Sequence, residues 1–326
     1  MTAVLEVSDL AVTFGAREGL IKAVDGVSFS VARGEVLGLV GESGSGKSVT
    51  SLAVMGLIDP PGRIARGSIK FEGQELVGLP EEDFRRLRGR RMAMIFQDPM
   101  STLNPVLRID TQMIETILAH EKVSEKAARA RSRDALAKVG IPSPEERLVA
   151  YPHQFSGGMR QRVAIAIALL HGPSLIMADE PTTALDVTIQ AQILAEVQKL
   201  AEETGTALVW VTHDLSVVAS LADRVAVMYA GRIVEEGPVA DVLTQPLHPY
   251  TDGLIGSVPS RNRRGVPLAQ IPGMTPSLAR LPAGCAFRPR CPRSTDICAT
   301  APEATDYGGG RKARCFHPLI DLETAA

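Results

Sequence analysis

The chain has 326 residues, of which 45% are hydrophobic and 22% charged, with a formal net charge of −2. This is the balance of a globular protein with enough sequence for one large domain or two ordinary ones, and it gives no global reason to expect a nucleic acid partner. The first residues lack the charged and apolar regions of a signal peptide, and no apolar run reaches the roughly 20 residues that a bilayer span needs. A cytosolic protein is therefore expected, with any membrane role coming through a partner.

The first 40 residues read as short strands at Val4–Val7, Leu10–Phe14 and Gly26–Val31, with a turn at Arg33-Gly34. The apolar run Glu35–Val40 leads into Gly41-Glu-Ser-Gly-Ser-Gly-Lys-Ser48, which matches G-x-x-x-x-G-K-[ST], and helix-type apolar spacing follows from Ser48 to Leu57. Strand, glycine loop and helix in this order form a phosphate-binding loop. Its glycines let backbone N–H groups curl around phosphate oxygens at the positive end of the helix. Gly41, Ser43, Gly44, Ser45, Gly46, Lys47, Ser48 and Val49 are the candidate contacts to a nucleoside triphosphate. Lys47 reaches the β- and γ-phosphates and Ser48 ligates Mg²⁺. Phe14 is a candidate to stack on the nucleotide base, or equally a strand core residue.

Further along, Asp59-Pro-Pro-Gly62 marks a turn and Gly67–Phe71 a strand, and the basic run Arg85–Arg91 reads as a solvated face. Met92–Phe96 is a buried strand ending at Gln97. Ile109–His120 and Ser124–Val139 read as helices, with Ser124 as N-cap. Ser156-Gly157-Gly158 stands at the start of a long apolar helix through Leu170, a second anion-binding corner. Leu175–Ala178 is an apolar strand delivering Asp179 and Glu180. A helix spans about Val187 to Glu203, and the strand Ala207–Thr212 delivers His213. Alternating strands and helices of these lengths imply an α/β fold with a largely parallel sheet. After residue 240, Pro and Gly become frequent and apolar periodicity fades, which places a domain boundary there.

A carboxylate at the end of a buried strand suits a second Mg²⁺ ligand, and Asp179 fits. Glu180 follows it, where it can polarise an attacking water as general base. His213 also ends an apolar strand, where an imidazole can hydrogen-bond a γ-phosphate or a water.

Taken together, the loop at 41–48, Gln97, Ser156-Gly-Gly158, Asp179-Glu180, Ala184-Leu-Asp186 and His213, in this order, resemble the ABC ATPase cassette over residues 4–240. The resemblance implies a P-loop cassette with a parallel-sheet core, N-terminal antiparallel strands and an inserted helical subdomain at about 98–165. It implies Gln97 as the glutamine that senses Mg²⁺ and water and couples to a transmembrane subunit, and Asp179 as a Mg²⁺ ligand. Glu180 would be the catalytic glutamate, His213 the switch histidine and Asp186 the D-loop aspartate. Ser156, Gly157 and Gly158 match the LSGGQ loop, which in the family contacts ATP bound to the opposite subunit. Here that loop reads Phe-Ser-Gly-Gly-Met, with Met159 in place of glutamine.

The segments Ile95–Met100, Leu103-Asn-Pro105, Glu180–Gln192, His248-Pro-Tyr-Thr251 and Gly284–Pro292 are similar to the ATPases of dipeptide and oligopeptide importers. That resemblance implies residues 241–326 as the C-terminal domain of that family. It implies a second homologous ATPase as heterodimer partner, two permease subunits and an extracytoplasmic peptide-binding protein, at the cytoplasmic face of the inner membrane. Two alternatives share much of this architecture: an importer of another solute such as nickel, and a soluble ABC ATPase acting on nucleic acid or ribosomes. All four cysteines, Cys285, Cys291, Cys298 and Cys315, lie in the tail, spaced C-x5-C-x6-C-x16-C. In a reducing compartment this is more a metal site than two disulfides. The spacing leaves Zn²⁺ and an iron–sulfur cluster both open; the resemblance implies [4Fe–4S].

Overall fold

Apolar residues interleaved with short polar ones run through Ala3–Ala16 and Gly19–Ala32, and each stretch forms one long strand, β1 and β2. The remaining strands are β3 (Val36–Val40), β4 (Gly62–Phe71), β5 (Gln74–Glu75), β6 (Met92–Ile95), β7 (Leu175–Asp179), β8 (Ala207–Thr212), β9 (Arg224–Tyr229), β10 (Arg232–Pro238), β11 (Thr305–Asp306) and β12 (Lys312–Ala313). The computed structural model describes residues 3–16, 19–98, 102–182, 187–258, 265 and 269–319. Asp186, expected as the D-loop aspartate, lies outside the described residues. The two strands expected at 4–7 and 10–14 are one. Asp9 takes a left-handed conformation, φ +48°, and the pairing of β1 with β4 shifts register between Ser8 and Ala11. This is a β-bulge, which bends a strand without ending it. Arg66 anchors it, its Nε 2.6 Å from Asp9 Oδ2.

Two compact units are present. One comprises residues 5–30, 36–77 and 210–326, the other residues 1–4, 31–35 and 78–209. The first holds the sheet β2-β1-β4-β5, in which β4 pairs antiparallel with β1 and β5, and the strand order β11-β12-β10-β9-β3, in which β3 and β9 are parallel and the rest antiparallel. All five residues of β3 are buried, as a strand covered on both faces requires. Val40, Val225, Val227 and Tyr229 share one apolar core with Tyr250, Ile255 and Phe287. Ring centroids of Tyr229 and Tyr250 lie 4.6 Å apart, and those of Tyr229 and Phe287 5.3 Å. Strand and tail residues on either side of position 240 thus bury each other.

In the second unit β6 and β7 pair in parallel. Helices Ile109–Leu118, Glu125–Lys138 and Pro144–Leu148 contact one another. Ile109, Met113 and Ile117 are buried at four-residue spacing, as are Ala128, Ser132 and Leu136. Ser124 is the N-cap, its hydroxyl accepting from Ala127 N at 3.2 Å. The basic run 85–91 is tied to local acids: Arg86 Nη2 lies 2.6 Å from Glu82 Oε1 and Arg88 Nη1 2.6 Å from Glu81 Oε1. Among the described residues no helix is long and apolar enough to cross a membrane.

Candidate functional site

In the first unit, β3 delivers the loop 41–48 into the helix Lys47–Val54, whose N-cap is Gly46. Gly41 has no alternative. It sits at φ +154°, and a Cβ on it would stand 2.2 Å from Met228 O of β9. Lys47 is buried and its ammonium folds back along the loop, donating to Gly41 O at 2.8 Å and Glu42 O at 3.0 Å. Ser45 N donates to Glu42 O at 3.2 Å, and Ser45 O accepts from Gly231 N at 2.9 Å. Ser43, Gly44 and Ser48 are exposed, Ser45 and Gly46 buried, and Val49 half-buried. The loop thus exposes Ser43, Gly44 and Ser48 while Lys47 and the bond from Gly231 N fix its floor, an arrangement that suits a phosphate. Phe14 is half-buried, its Cε1 2.5 Å from where a Gly62 side chain would begin. His213 follows β8 and is exposed, and the next residue, Asp214, caps the helix Leu215–Leu221 by accepting from Ser216 N at 2.8 Å.

In the second unit, parallel register sets the carboxylates. Ile95 pairs with Ala178, so Gln97 and Glu180, two residues beyond, leave the sheet at the same carboxyl edge. Gln97 Nε2 donates to Glu180 Oε2 at 3.2 Å. Asp179 is buried at the end of β7, and Glu180 is half-buried at φ +45°. Ser156 caps the helix Gly157–Leu169, its hydroxyl accepting from Met159 N at 3.3 Å. Gly157 and Gly158 form that helix's first turn. Arg160 Nη1 donates to Phe155 O at 2.7 Å, bracing the same corner.

A strand-delivered phosphate loop, a strand-end aspartate–glutamate pair and a serine–glycine helix cap are the parts of an ATP-driven cassette. Residues 24–183 match the ABC transporter family model, and residues 234–298 match the model of the oligopeptide/dipeptide transporter C-terminal region. An oligopeptide transport ATP-binding protein of Escherichia coli is 49% identical over 98% of this chain and 95% of its own length. A dipeptide transport ATP-binding protein of Haemophilus influenzae is 48% identical over 97% of this chain and 96% of its own. The chain belongs to this family of ABC transporter ATPases. A solved dimeric ATP-binding cassette bound to ADP and Pi is 29% identical, covering 72% of this chain and 98% of that one, with a TM-score of 0.65.

In this ATPase all four tail cysteines line one small cavity, together with His248, Phe287, Pro302 and Phe316. Gly284, at φ +80°, allows it: a Cβ there would lie 2.3 Å from Ala299 C, and the close approach lets Cys285 N bond Cys298 O at 2.9 Å. Burial pushes the Cys285 and Cys291 thiols up and the Cys315 thiol to about 11. Among the described residues, however, no three His, Cys, Asp or Glu side chains are grouped so as to hold a metal ion. The metal expected from the cysteine pattern is therefore not shown.

The sequence reading passed over Glu42, Tyr250, Thr275 and Arg290. Glu42, the variable second residue of the loop, has its carboxylate bound by Arg290 and Thr275 and its N–H bound to Tyr250 Oη. Burial alone would raise the Glu42 carboxyl, but the bonds from Arg290 and Thr275 prevail and hold it below the usual range. Tyr250 and Arg290 both fall inside segments that resemble the importer ATPases, which was the available signal.

Proposed function

We propose that the protein is the ATP-hydrolysing motor of an importer for dipeptides or oligopeptides. The observation that carries this reading is the similarity, at 48–49% identity over nearly the whole chain, to peptide transport ATP-binding proteins, with a match to the oligopeptide/dipeptide transporter C-terminal region in the tail. Lys47 and the loop residues Gly41, Ser43, Gly44, Ser45 and Gly46 hold the phosphates, with Val49 behind them and Phe14 against the base. Ser48 and Asp179 ligate Mg²⁺, with Gln97 sensing the ion and its water. Glu180 is the general base, His213 contacts the γ-phosphate side, and Asp186 serves at the subunit interface. Ser156, Gly157 and Gly158 present a helix N-terminus to ATP held by the opposite subunit, so that ATP bridges two chains until hydrolysis removes the bridging charge. The cassette is residues 1–240, with its helical subdomain at about 98–165, and the transporter tail is 241–326.

The partners are a second homologous ATPase in a heterodimer, two permease subunits and an extracytoplasmic peptide-binding protein, at the cytoplasmic face of the membrane. Cys285, Cys291, Cys298 and Cys315 hold a [4Fe–4S] cluster that staples a tail of little apolar periodicity. Their convergence on one cavity supports this. The test is a membrane pull-down of tagged protein, with mass spectrometry of partners and iron content on the same sample. Two permeases, a second ATPase and about four irons per chain are expected. Zinc without iron would replace the cluster; ribosomal or DNA-bound partners without permeases would replace the importer, and nickel-stimulated ATPase activity without a peptide response would replace the substrate.

A further inference from the structure

Arg290 is an arginine of the tail with almost no solvent contact: its side chain is 5% exposed. It ends the turn Arg288–Arg290 between two of the cavity cysteines, with Arg290 N bonded to Phe287 O at 2.9 Å and Cys291 N to Arg288 O at 3.3 Å. Its guanidinium grips Glu42 as a fork, Nη1 to Oε2 at 2.7 Å and Nη2 to Oε1 at 3.0 Å, while Nε donates to Pro272 O at 2.9 Å. Thr275 Oγ1 donates to the same Glu42 Oε2 at 2.6 Å. Glu42 is thereby held at three points: side chain by Arg290 and Thr275, N–H by Tyr250 Oη at 2.9 Å, and carbonyl by Lys47 Nζ at 3.0 Å.

We propose that Arg290 is a positioning residue for ATP, fixing Glu42 and with it the entering arm of the phosphate loop, so that the cysteine-bearing turn and the nucleotide cradle are coupled. A planar fork matched to a carboxylate sets both distance and orientation. Glu42 lies one residue from Gly41 and its carbonyl is the partner of Lys47, so a shift of Glu42 moves the lysine that meets the phosphates. The coupling needs no metal in the cysteine cavity and stands or falls apart from the cluster. It acts on nucleotide affinity rather than on the hydrolytic step, because its chain of contacts runs through the Glu42 carbonyl to Lys47, the residue that meets the phosphates.

The experiment uses the full chain purified with its membrane partners, as wild type, Arg290→Gln, Arg290→Lys, Glu42→Gln and the Arg290→Gln/Glu42→Gln pair. Loss of one charge-assisted contact is expected to raise the ATP Kd and KM by roughly ten-fold or more, with kcat at saturating ATP kept within about three-fold. Arg290→Lys, which keeps charge without the fork, falls between. The double variant binds ATP no worse than the weaker single one, since both remove the same contact. Unchanged ATP affinity in a folded Arg290→Gln protein, even one with a lower Tm, would leave Arg290 as packing only and overturn the proposal, as would additive losses in the double variant. Should Arg290→Gln fail to fold, Glu42→Gln decides alone, and normal ATP affinity there refutes the coupling.

Discussion

Glu180 carries a conformation that its residue type rarely adopts. At φ +45° it is in the left-handed region, a position costing of order 1–3 kcal/mol, and its carboxylate receives Gln97 Nε2 at 3.2 Å. A strained residue whose side chain is held by Gln97 fits the proposed role of a base that must be aimed. Glu180→Gln should retain ATP binding and lower hydrolysis by about 10²–10⁴-fold, the range for loss of a general base; unchanged turnover would remove Glu180 from that role. Asp110 supports a different prediction. It is 4% exposed, with Arg129 Nη1 at 2.5 Å, Arg108 Nε at 3.1 Å and Thr111 N at 2.8 Å. Burial alone would raise its carboxyl, but the bonds from Arg108 and Arg129 outweigh it and hold it below the usual value of 3.8. The unfolded chain therefore binds a proton before the native one does, so stability is complete above that value and falls as pH drops through the native one. Asp110→Asn should cost roughly 2–3 kcal/mol at pH 7, and thermal melts taken from pH 5 to 3 should fall more steeply for wild type than for the variant. Parallel slopes would deny the carboxylate that part. The place of Glu180 just beyond an apolar strand was legible in the order of residues alone. The sequence hid Asp110, since Arg129 lies a helix away in sequence and only packing brings it close.

At the scale of elements, the helix caps were the most readable features. Ser124 and Ser156 both accept from the third residue on, at 3.2 and 3.3 Å, because a serine before a helical pattern has few better uses for its hydroxyl. The bulge in β1 was not readable, because Asp9 looks like the loop that separates two strands until Arg66 of β4 is seen to anchor it. For Ser156 the cap and the proposed contact with a partner's ATP separate experimentally. Ser156→Ala removes the cap, a loss of about 1 kcal/mol in stability. ATP binding to the isolated chain should stay near wild type while ATPase activity of the assembled transporter falls by about ten-fold or more, as loss of a phosphate contact worth 1.5–3 kcal/mol would give. Equal losses in both assays would make Ser156 a fold residue and nothing else.

For the molecule as a whole, the change of texture after residue 240 was visible in composition, but what joins the two sides of it was not. Tyr250 and Phe287 are fully buried with Val40, Val227 and Tyr229, far from Val40 in the chain, and no periodicity encodes such a pairing. β12 also pairs with β10, Ala313 opposite Glu235, and Leu319 N bonds Leu247 O at 3.0 Å. A chain stopped after residue 240 would bare this core and release Glu42. Losing Tyr250, Ile255 and Phe287 alone forfeits about 1.5–3 kcal/mol for each buried side chain, against a total stability on the order of 5–15 kcal/mol for a domain. The truncated chain is therefore expected to be recovered as aggregate, or to melt at least ten degrees or so below the full chain, and to bind ATP weakly when kept soluble. A 1–240 fragment that is soluble, melts like the full chain and binds ATP with the same Kd would show that the tail is dispensable to the loop, and would count against a shared core as the source of its order.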